Sequence, residues 1–495
     1  MSIEKVENFA EIGDKNLNGL DVSEGFPREE KPERPWFNYL FHTLSNATNQ
    51  IIDGIESINT ELDNTVRSKD FNIIIKDSSP KNLEYFNNSD IKVGSDNASV
   101  DSIALQNALT SEYAIDLAGL KLKIDRTINV NRIESCIMSS IPYQRNGSGH
   151  ALRSANIEVV DDALPILFNT SEYNCRFSGF RIRCNTTNSA TQGFYNERSN
   201  FVQSDVDILI NDVTMDYGLR FVNQRGRGLD LQRCSISGLK DMAIRLDWDS
   251  RWIPNGQSND ENGTAQRAYT IADIRQHGCL GLVENIGDYK QEIGNILISN
   301  IQGDTGGCLF KGVMNNVLMN NVFSYFHPVV QNQMEIWDGS HDSFINMFNM
   351  SGYNVGTVKR VPKKSIEIKC GVLGIDNIVF SNGTIGDSEQ WPVSVTGGGK
   401  LDVTFDNVNF KNTATTNNEL IWLSQTAATP ITKWDLYFKN CRFTATKTTS
   451  ATKVFNGTST SLITIYRDFM TKKSGYATWA NPSFTELSEV TQDPG

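Results

Sequence analysis

The chain has 495 residues, of which 39% are hydrophobic and 21% charged, so it can bury a core and is not disordered as a whole. Its net charge of −12, with no basic block, argues against nucleic acid or an anionic membrane as a partner. No stretch approaches the roughly 20 apolar residues of a membrane span, and the acidic start lacks a secretory pattern, so we expect synthesis in a cytoplasm.

The first 68 residues fall into two segments with different sequence patterns. Residues 1–35 are polar, with Gly25 and three prolines, which predicts an extended or flexible segment. Residues 36–68 predict a coiled-coil helix, because seam positions recur at alternating steps of four and three: Phe37, Phe41, Leu44, Thr48, Ile51, Ile55, Ile58 and Leu62. Isoleucine at both seam positions favours three strands, and hence a homotrimer. The alternative is one amphipathic helix packed on its own domain.

Part of this region resembles a segment found near the N-terminus of many phage tail fibres and tailspikes. The shared pattern consists of Gly25-Phe26-Pro27, Lys31-Pro32, Arg34 and Trp36-Phe37-Asn38-Tyr39-Leu40-Phe41. In such proteins the N-terminal part attaches to the virion. The resemblance therefore implies attachment to a phage tail or baseplate protein, and a location in the virion tail that acts outside the bacterial cell.

Residues 69–110 predict a linker and a short capping helix, followed by an apolar strand. This segment resembles the first segment of pectate-lyase-like β-helix proteins, in which a short helix caps the first coil and covers an open sheet edge. The pattern is matched at Asp96, Asp101 and Gln106 and broken at Ser95 and Val100. The resemblance implies the fold and no particular activity.

Residues 111–460 repeat a unit in which apolar and polar residues alternate, turn at a short polar corner and alternate again. The clearest copies are LDLQRCSISG (229–238), GNILISNIQG (294–303), NNVLMNNVFS (315–324), LGIDNIVFSNG (373–383), LDVTFDNVNFKN (401–412) and WDLYFKNCRFTA (434–445). Asparagine recurs at the corners, where it tolerates unusual backbone angles: Asn300, Asn321, Asn377, Asn407 and Asn440.

A third short strand follows most copies: GLRFVN (218–223), AIRLDWD (243–249), GLVENI (281–286), CLFKGV (308–313), PVVQNQ (328–333) and PVSVTG (392–397). Three short strands per coil predict an all-β fold, a right-handed parallel β-helix whose coils stack about 4.8 Å apart. The alternatives are a β-propeller and a sandwich, but their hairpin patterns are mostly missing. Residues 461–495 lose the repeat and are predicted to form a C-terminal cap and tail.

Three enlarged corners carry the candidate site, at 247–267, 285–292 and 332–342. Stacking of the coils would place all three on one side of the rod. They are rich in carboxylates, which accept hydrogen bonds from sugar hydroxyls, and in aromatic rings, which pack on the flat faces of sugars. The expected substrate-binding residues are Trp248, Trp252, Arg245, Arg251, Tyr289 and Trp337. The alternative is that these loops are simply solvated.

The candidate catalytic residues are carboxylates. Asp247 and Asp249 point outward from one predicted strand and lie roughly 6.6–7 Å apart along it. That separation is close to the about 6.5–9.5 Å of inverting glycosidases, so we expect Asp247 to be the base and Asp249 the acid. Glu261, Glu335 and Asp338 are the substitutes for these roles.

A lyase would need a base beside a carboxylate and cations to hold it. His277, His327, His341, Arg251, Arg267 and Lys290 could serve, but nothing in the sequence groups them. Glu284 and Lys311 occupy equivalent positions that we expect to point inward, as a paired interior contact.

None of the eight cysteines forms a Cys-x-x-Cys pair or a Cys/His cluster with metal spacing, so we expect no metal, no cofactor and reduced, buried thiols. The working hypothesis is a homotrimeric tailspike that recognises capsular or O-antigen polysaccharide and depolymerises it by glycosidic hydrolysis. The resemblance implies the phage setting and the substrate class. One alternative is a non-catalytic glycan-binding or structural tail fibre, and another is a polysaccharide lyase.

Overall fold

The chain divides into two units, Met1–Ser79 and Pro80–Gly495, which are described separately. The structure is a computed structural model, and it describes residues 40–51, 53, 81–86, 89, 91–111, 114–130, 135–140, 156–170, 175–196, 208–224, 228–247, 269–286, 296–326, 332–351, 353–355, 358–360, 362–386, 388–412, 419–426, 429–445, 451–457, 462–474, 476–479 and 485–488. Of the predicted N-terminal segments, 1–35 and most of 36–68 lie outside these residues.

The first unit contains a helix, α1, over residues 40–51. Four predicted seam positions fall within it, and all four side chains are exposed, with Leu44 at 53% and Ile51 at 64%. These positions are three or four residues apart, so they form one stripe along the helix. A helix with an exposed apolar stripe fits the predicted coiled coil, which itself stays a prediction.

The second unit begins with a capped sheet edge. A 3-10 helix, Leu83–Phe86, is followed by the helix α2, Ala98–Ser111, as the resemblance implied. The side chain of Gln106 pairs with the main chain of Asn129: its Oε1 accepts from the N–H at 2.8 Å and its Nε2 donates to the carbonyl at 3.0 Å. Asp101 accepts from the N–H of Lys123 at 2.8 Å. Side chains of α2 therefore occupy hydrogen-bonding groups that the first strands would otherwise leave open.

The body is built from short parallel strands on three faces. The first face contains β1 (Lys81–Asn82), β2 (Ala114–Asp116), β5 (Cys136–Met138), β8 (Cys175–Ser178), β11 (Ile208–Asn211), β14 (Leu229–Gln232), β17 (Tyr269–Ala272), β20 (Ile296–Gly306), β22 (Val317–Phe326), β24 (His341–Ser351), β28 (Ile375–Gly386), β30 (Gly399–Asn412), β32 (Ile431–Lys439), β36 (Ile463–Arg467) and β39 (Thr485–Ser488). Five of these strands, β20, β22, β24, β28 and β30, bend at a corner and run on into the second face.

The rest of the second face consists of β3 (Lys121–Ile124), β6 (Asn156–Val159), β9 (Arg181–Arg183), β12 (Thr214–Asp216), β15 (Ser235–Ser237), β18 (Arg275–His277), β33 (Arg442–Ala445) and β37 (Lys472–Ser474). The third face is a twelve-stranded sheet of β4 (Ile128–Val130), β7 (Ile166–Thr170), β10 (Gln192–Asn196), β13 (Arg220–Gln224), β16 (Met242–Leu246), β19 (Gly281–Asn285), β21 (Cys308–Gly312), β23 (Asn332–Trp337), β27 (Lys364–Cys370), β29 (Trp391–Gly397), β31 (Ile421–Gln425) and β35 (Phe455–Gly457).

Two small pairs lie outside the faces. They are the antiparallel pair β25 (Tyr353–Val355) and β26 (Val358–Arg360), and the parallel pair β34 (Ala451–Lys453) and β38 (Tyr476–Thr478). Each strand of a face pairs in parallel with its counterpart one coil later, so the predicted three-stranded parallel β-helix is confirmed. Its right-handed sense stays a prediction, which agrees with the strong preference of parallel crossovers for that hand.

The corners use the predicted asparagines. Asn300, Asn321, Asn377, Asn407 and Asn440 all have positive φ, between 47° and 55°, a region that asparagine enters more easily than most residues. Their side chains also bond along the rod: Nδ2 of Asn321 donates to Oδ1 of Asn300 at 2.8 Å. The prediction that asparagine holds the corners is therefore confirmed.

The core is one continuous column of inward side chains. Phe380, Phe405 and Phe438 stack on successive coils with ring centroids 5.1 and 5.2 Å apart. All eight cysteines are free, and seven of them are buried, where desolvation raises the pKa of thiols such as Cys441 to about 12. Neither helix of the described segments is long and apolar enough to cross a membrane.

Two predicted boundaries are wrong. The third strand expected at 328–333 is β23, which begins only at Asn332, because the core positions of that coil are Met334 and Ile336. The coil repeat also continues beyond residue 460, since β36 pairs in parallel with β32 and then with β39. Ile463 and Ile465 keep the inward alternation there.

Candidate functional site

One outward row on the third face collects charged and aromatic side chains. The parallel register aligns one residue from each of seven consecutive coils into a line that we call the third-face row: Arg245, Glu284, Lys311, Glu335, Glu367, Ser394 and Trp422. The residue before each member is a core residue, such as Phe310 in β21, so the row faces away from the core, and Glu284, Glu367 and Ser394 in the row are themselves buried. At about 4.8 Å per coil, it extends over about 29 Å along the rod.

The first three members of the row form an ion triad. Both Nε and Nη2 of Arg245 lie 2.8 Å from Oε2 of Glu284, and Nζ of Lys311 lies 3.2 Å from Oε1. The predicted pairing of Glu284 with Lys311 is confirmed. Its predicted inward position is wrong, because Glu284 shares its face with the outward, partly exposed Arg245.

Glu335 is held as an anion by three donors. Its Oε1 accepts from Nε1 of Trp337 at 2.8 Å and from Nζ of Lys369 at 2.5 Å, and its Oε2 accepts from Nδ2 of Asn332 at 3.3 Å. Burial raises the pKa of this carboxyl, but Lys369, Trp337 and Asn332 together outweigh burial, so its pKa lies below the usual value. An ionised carboxylate can accept a proton, or a hydrogen bond from a sugar hydroxyl, and cannot serve as an acid at neutral pH.

Glu367 continues the same network on the next coil. Asn332 donates to its Oε2 at 2.6 Å, Lys364 pairs with its Oε1, and Nζ of Lys369 lies 3.8 Å from Oε2. Nδ2 of Asn332 thus bridges Glu335 and Glu367. The two carboxylate oxygens that it joins can be no further apart than the sum of its two hydrogen-bond lengths, which is shorter than the about 6.5–9.5 Å between the carboxyls of an inverting glycosidase. Each carboxylate already has a lysine, which suits binding better than proton transfer.

Aromatic rings flank the row. Trp337 lies one coil from Lys311, whose Nζ is 5.6 Å from the centroid of the indole ring. Trp391 and Trp422 stack at 4.8 Å between ring centroids, on β29 and β31. Both rings are partly exposed, so the far end of the row is an apolar surface beside a charged one.

The predicted enlarged corners are only partly described. Segments 248–268 and 287–295 lie outside the described residues. They follow β16 and β19 in the chain, and these two strands end at the same corner on neighbouring coils, because the register pairs Leu246 with Asn285. The prediction of a third enlarged corner at 332–342 is wrong, because its first six residues form β23 within the sheet. These residues form a strand because the buried Met334 and Ile336 alternate with the outward Glu335.

Most of the predicted site residues fall outside the described part of the chain. These are Trp248, Asp249, Arg251, Trp252, Glu261 and Tyr289. Asp247 is described: it directly follows β16, is half-buried, and its N–H donates to the carbonyl of Gln224 at 2.9 Å. Asp247 therefore lies two residues beyond Arg245, at the beginning of the third-face row.

Asp338 holds a corner. Its Oδ1 accepts from the N–H groups of Gly371 and Gly374, both at 2.8 Å, and its Oδ2 accepts from that of Leu373 at 3.0 Å. A Cβ at Gly371 would come within 2.6 Å of this carboxylate, so glycine is required there. These contacts suit a structural role for Asp338 better than the predicted catalytic one.

The residues of a possible lyase are not assembled. Of the histidines considered for a lyase, His277 lies in β18 on the second face and His341 begins β24 on the first face. His327, Arg251, Arg267 and Lys290 lie outside the described residues. Within the described ranges, no group of three or more His, Cys, Asp or Glu side chains could hold a metal ion.

The sequence reasoning missed five members of this surface: Lys364, Glu367, Lys369, Trp391 and Trp422. All five occupy third-face strands: Glu367, Lys369 and Trp422 alternate with core residues in β27 and β31, and Lys364 pairs with Trp391 between β27 and β29. Aligning the third strands through residues 350–392 would have found the first four, and continuing the alignment beyond residue 397 would have found Trp422.

No protein-family model and no curated protein sequence matches the chain. Among solved structures, the A-module of the mannuronan C-5 epimerase AlgE4 of Azotobacter vinelandii is similar, with 11% identity, a TM-score of 0.42 and coverage of 82% of this chain and 99% of that one. The endo-xylogalacturonan hydrolase of Aspergillus tubingensis has 9% identity, a TM-score of 0.35 and coverage of 79% and 98%. The Agl-KA catalytic domain has 11% identity, a TM-score of 0.38 and coverage of 83% and 69%. No inference about the activity of this chain rests on these likenesses.

Proposed function

We propose that the chain is a homotrimeric phage tailspike that recognises bacterial capsular or O-antigen polysaccharide and depolymerises it by glycosidic hydrolysis. The third-face row is the observation that carries this proposal. It aligns carboxylates, cations and the indole of Trp422 over about 29 Å, with Trp337 and Trp391 beside it, and a row of that length fits a linear polymer better than a small molecule. The phage setting and the attachment through the N-terminus to a tail or baseplate protein rest on the resemblance of residues 25–41.

In this proposal the polymer lies along the row and is cut at its beginning. Asp247, next to the row, acts as the base and Asp249 as the acid, with Glu261 as a substitute. Arg245, Arg251, Trp252 and the other predicted binding residues contact the saccharide. Glu335, held ionised by Lys369, contributes to binding through its oxygens and does not donate a proton.

The direct test is the release of reducing ends by the full chain from a panel of purified capsular and O-antigen polysaccharides. We expect release from at least one polysaccharide and a loss of about a hundredfold or more in Asp247→Asn and Asp249→Asn. Trp337→Ala should weaken retention of that polysaccharide, whereas Phe469→Ala, at an exposed aromatic outside the third face, should not. A chain inert on every polysaccharide would overturn the proposal.

Exposed apolar residues, separate from the third-face row, support the proposed trimer. Besides the exposed stripe of α1, the first face aligns Leu297, Leu318 and Phe344 on three consecutive coils, and all three are exposed. A contiguous exposed apolar row typically marks a protein contact, and a parallel trimer would bring the same face of each copy toward one axis. Leu318→Asp should lower the mass measured by light scattering toward a monomer. Val372→Asp, at a position 82% exposed elsewhere, is the matched control and should leave the mass unchanged.

The second candidate is a glycan-binding fibre without catalysis. It is favoured by the pairing of Glu284, Glu335 and Glu367, each of which has a cationic partner. Retention of a polysaccharide without any release of reducing ends would support it. Products that absorb in the ultraviolet like an unsaturated uronate would instead support the lyase.

A further inference from the structure

The outward line on the third face extends beyond Arg245 toward the beginning of the rod. An unbroken parallel register continues it through the four preceding coils, to Asn223, Tyr195, Asn169 and Asn129. Each of these four residues lies between two inward neighbours that are at most 1% exposed, so its side chain points away from the core. We call these four residues the amide stretch. At about 4.8 Å per coil, it adds about 19 Å to the line.

The amide stretch is uncharged, whereas the third-face row is rich in charge. It consists of three carboxamides and one phenol. Arg220, on the same strand as Asn223, already pairs with Asp241. A carboxylate on a ligand would therefore find no cation among the four residues. Carboxamides both donate and accept hydrogen bonds, as sugar hydroxyls do, so the amide stretch suits uncharged sugar units.

Hydrogen bonds between side chains hold the amides in place. Nδ2 of Asn169 donates to Oδ1 of Asn129 on the preceding coil at 3.2 Å. Nδ2 of Asn223 donates to Oε1 of Gln192 at 2.8 Å, again on the preceding coil. Tyr195 lies between these two pairs and is partly exposed, so its ring can pack on the face of a sugar. The stretch is therefore an ordered surface before any ligand binds.

One atom of the amide stretch points to a ligand. Asn223 is 7% exposed, and its Oδ1 is buried without a hydrogen-bond partner among the residues that the structure describes, although a buried amide oxygen normally has one. This oxygen lies beside the proposed point of cleavage. Asn223 is the neighbour of Arg245 in the register, and the N–H of Asp247 donates to the carbonyl of Gln224, the residue after Asn223.

We propose that the amide stretch is a binding subsite for uncharged, hydroxyl-bearing sugar units of the polysaccharide. Oδ1 of Asn223 accepts a hydrogen bond from a hydroxyl of the unit nearest to Asp247. The inference rests on the proposed function, because its ligand is the polymer that lies along the third face. Asp247 lies where the amide stretch meets the third-face row, so the two surfaces bind the parts of the polymer on either side of the cut.

The experiment uses the full chain and the polysaccharide from which the wild type releases most reducing ends. Asn223→Leu keeps the approximate size of the side chain and removes the acceptor. We expect it to raise KM about tenfold and to leave kcat unchanged, because the lost hydrogen bond is made equally in the ground state and the transition state. Asn169→Leu, at a partly exposed position, is the second variant and should raise KM about threefold.

Asn346→Leu is the matched control. Asn346 lies on the first face, and its Nδ2 donates to Oδ1 of Asn320 at 2.9 Å, so this variant removes the same kind of bond as Asn169→Leu on a different face. Its KM should equal that of the wild type.

Salt tests whether the bound units are uncharged. Hydrogen bonds between neutral groups are not screened, so the ratio of KM between Asn223→Leu and the wild type should be the same at about 0.05 M and about 0.5 M sodium chloride. A ratio that falls toward one at the higher concentration would mean that a charged unit binds there, and it would overturn the inference.

The other outcomes also separate the inference from the proposed function. A raised KM in both variants and not in the control, in chains of unchanged mass and circular dichroism, supports the inference. A KM equal to that of the wild type in both variants, or an equal rise in the control, overturns the inference and leaves the proposed function standing. A wild-type chain that releases nothing from any polysaccharide overturns both.

Discussion

The third-face row can be compared with three aspartates of the first face, Asp376 in β28, Asp402 in β30 and Asp435 in β32, which we call the aspartate row. Both rows place carboxylates on neighbouring coils of the same fold, but in opposite electrostatic settings. In the third-face row, each glutamate has at least one lysine or arginine within 4 Å, and Glu335 is driven toward its ionised form. In the aspartate row, Lys400 and Lys433 pair with Asp376 and Asp435, and burial, followed by the charges of those two aspartates, raises the pKa of Asp402.

The comparison teaches that the register, more than the residue type, sets the chemistry of an acid on a β-helix. A cation one coil away helps to lower the pKa of a carboxyl, as Lys369 does for Glu335, whereas burial and neighbouring anions raise it, as they do for Asp402.

The largest change in the free energy of unfolding should come from Glu284→Ala. It leaves Arg245 and Lys311 facing each other without the anion between them. Breaking a buried pair costs about 3–5 kcal/mol, and because both cations are partly exposed we expect about 2–3 kcal/mol. Chemical denaturation of the full chain measures this loss. A loss below about 0.5 kcal/mol would mean that the triad does not stabilise the fold.

Glu335→Gln should cost about 2 kcal/mol at pH 7, since it removes hydrogen bonds to a charged group. The folded-state pKa of Glu335 is lowered, so its contribution is present above the unfolded pKa of about 4.3 and is lost as pH falls through the folded value. The gap between wild type and variant in denaturation midpoint should therefore close on acidification. A gap that is independent of pH would contradict the assignment.

Trp337→Phe should cost about 1 kcal/mol, because it removes the indole N–H that donates to Glu335 and keeps most of the ring. The pKa of Glu335 should rise toward its usual value in this variant. Thermal melts at several pH values measure both effects. Trp422→Phe is the matched control, and it should leave the pH dependence unchanged.

The smallest expected effect is a gain in stability, whereas the three substitutions above are expected to lower it. Because the pKa of Asp402 is raised in the fold, its ionised form destabilises the native state at neutral pH, and this cost disappears at low pH. Asp402→Asn should thus raise the melting temperature by about 1 °C at pH 7 and leave it unchanged at pH 3. Destabilisation by Asp402→Asn at pH 7 would contradict the electrostatic description of the aspartate row.

Much of the fold was predictable because its rules are local. Alternation identified the strands, and asparagine identified corners that need positive φ, as at Asn407 and Asn440. Alternation is less informative where a strand is covered on both sides. All five residues of β19 are buried, and its sequence does not alternate clearly between apolar and polar residues, so the outward direction of Glu284 was not recognised.

The site was less predictable because its contacts join different coils. Lys400 lies 24 residues from Asp376, and Lys369 lies 34 residues from Glu335, spacings that vary with each loop. A sequence pattern of fixed length cannot capture such pairs.

A structure of the full chain bound to an oligosaccharide cut from its own polysaccharide tests the central claim most directly. The account predicts sugar units in line with the rod axis along the third face, with Glu335 accepting a hydroxyl and Trp337 in contact with a ring. A saccharide bound on the second face, with the third-face row empty, would contradict it.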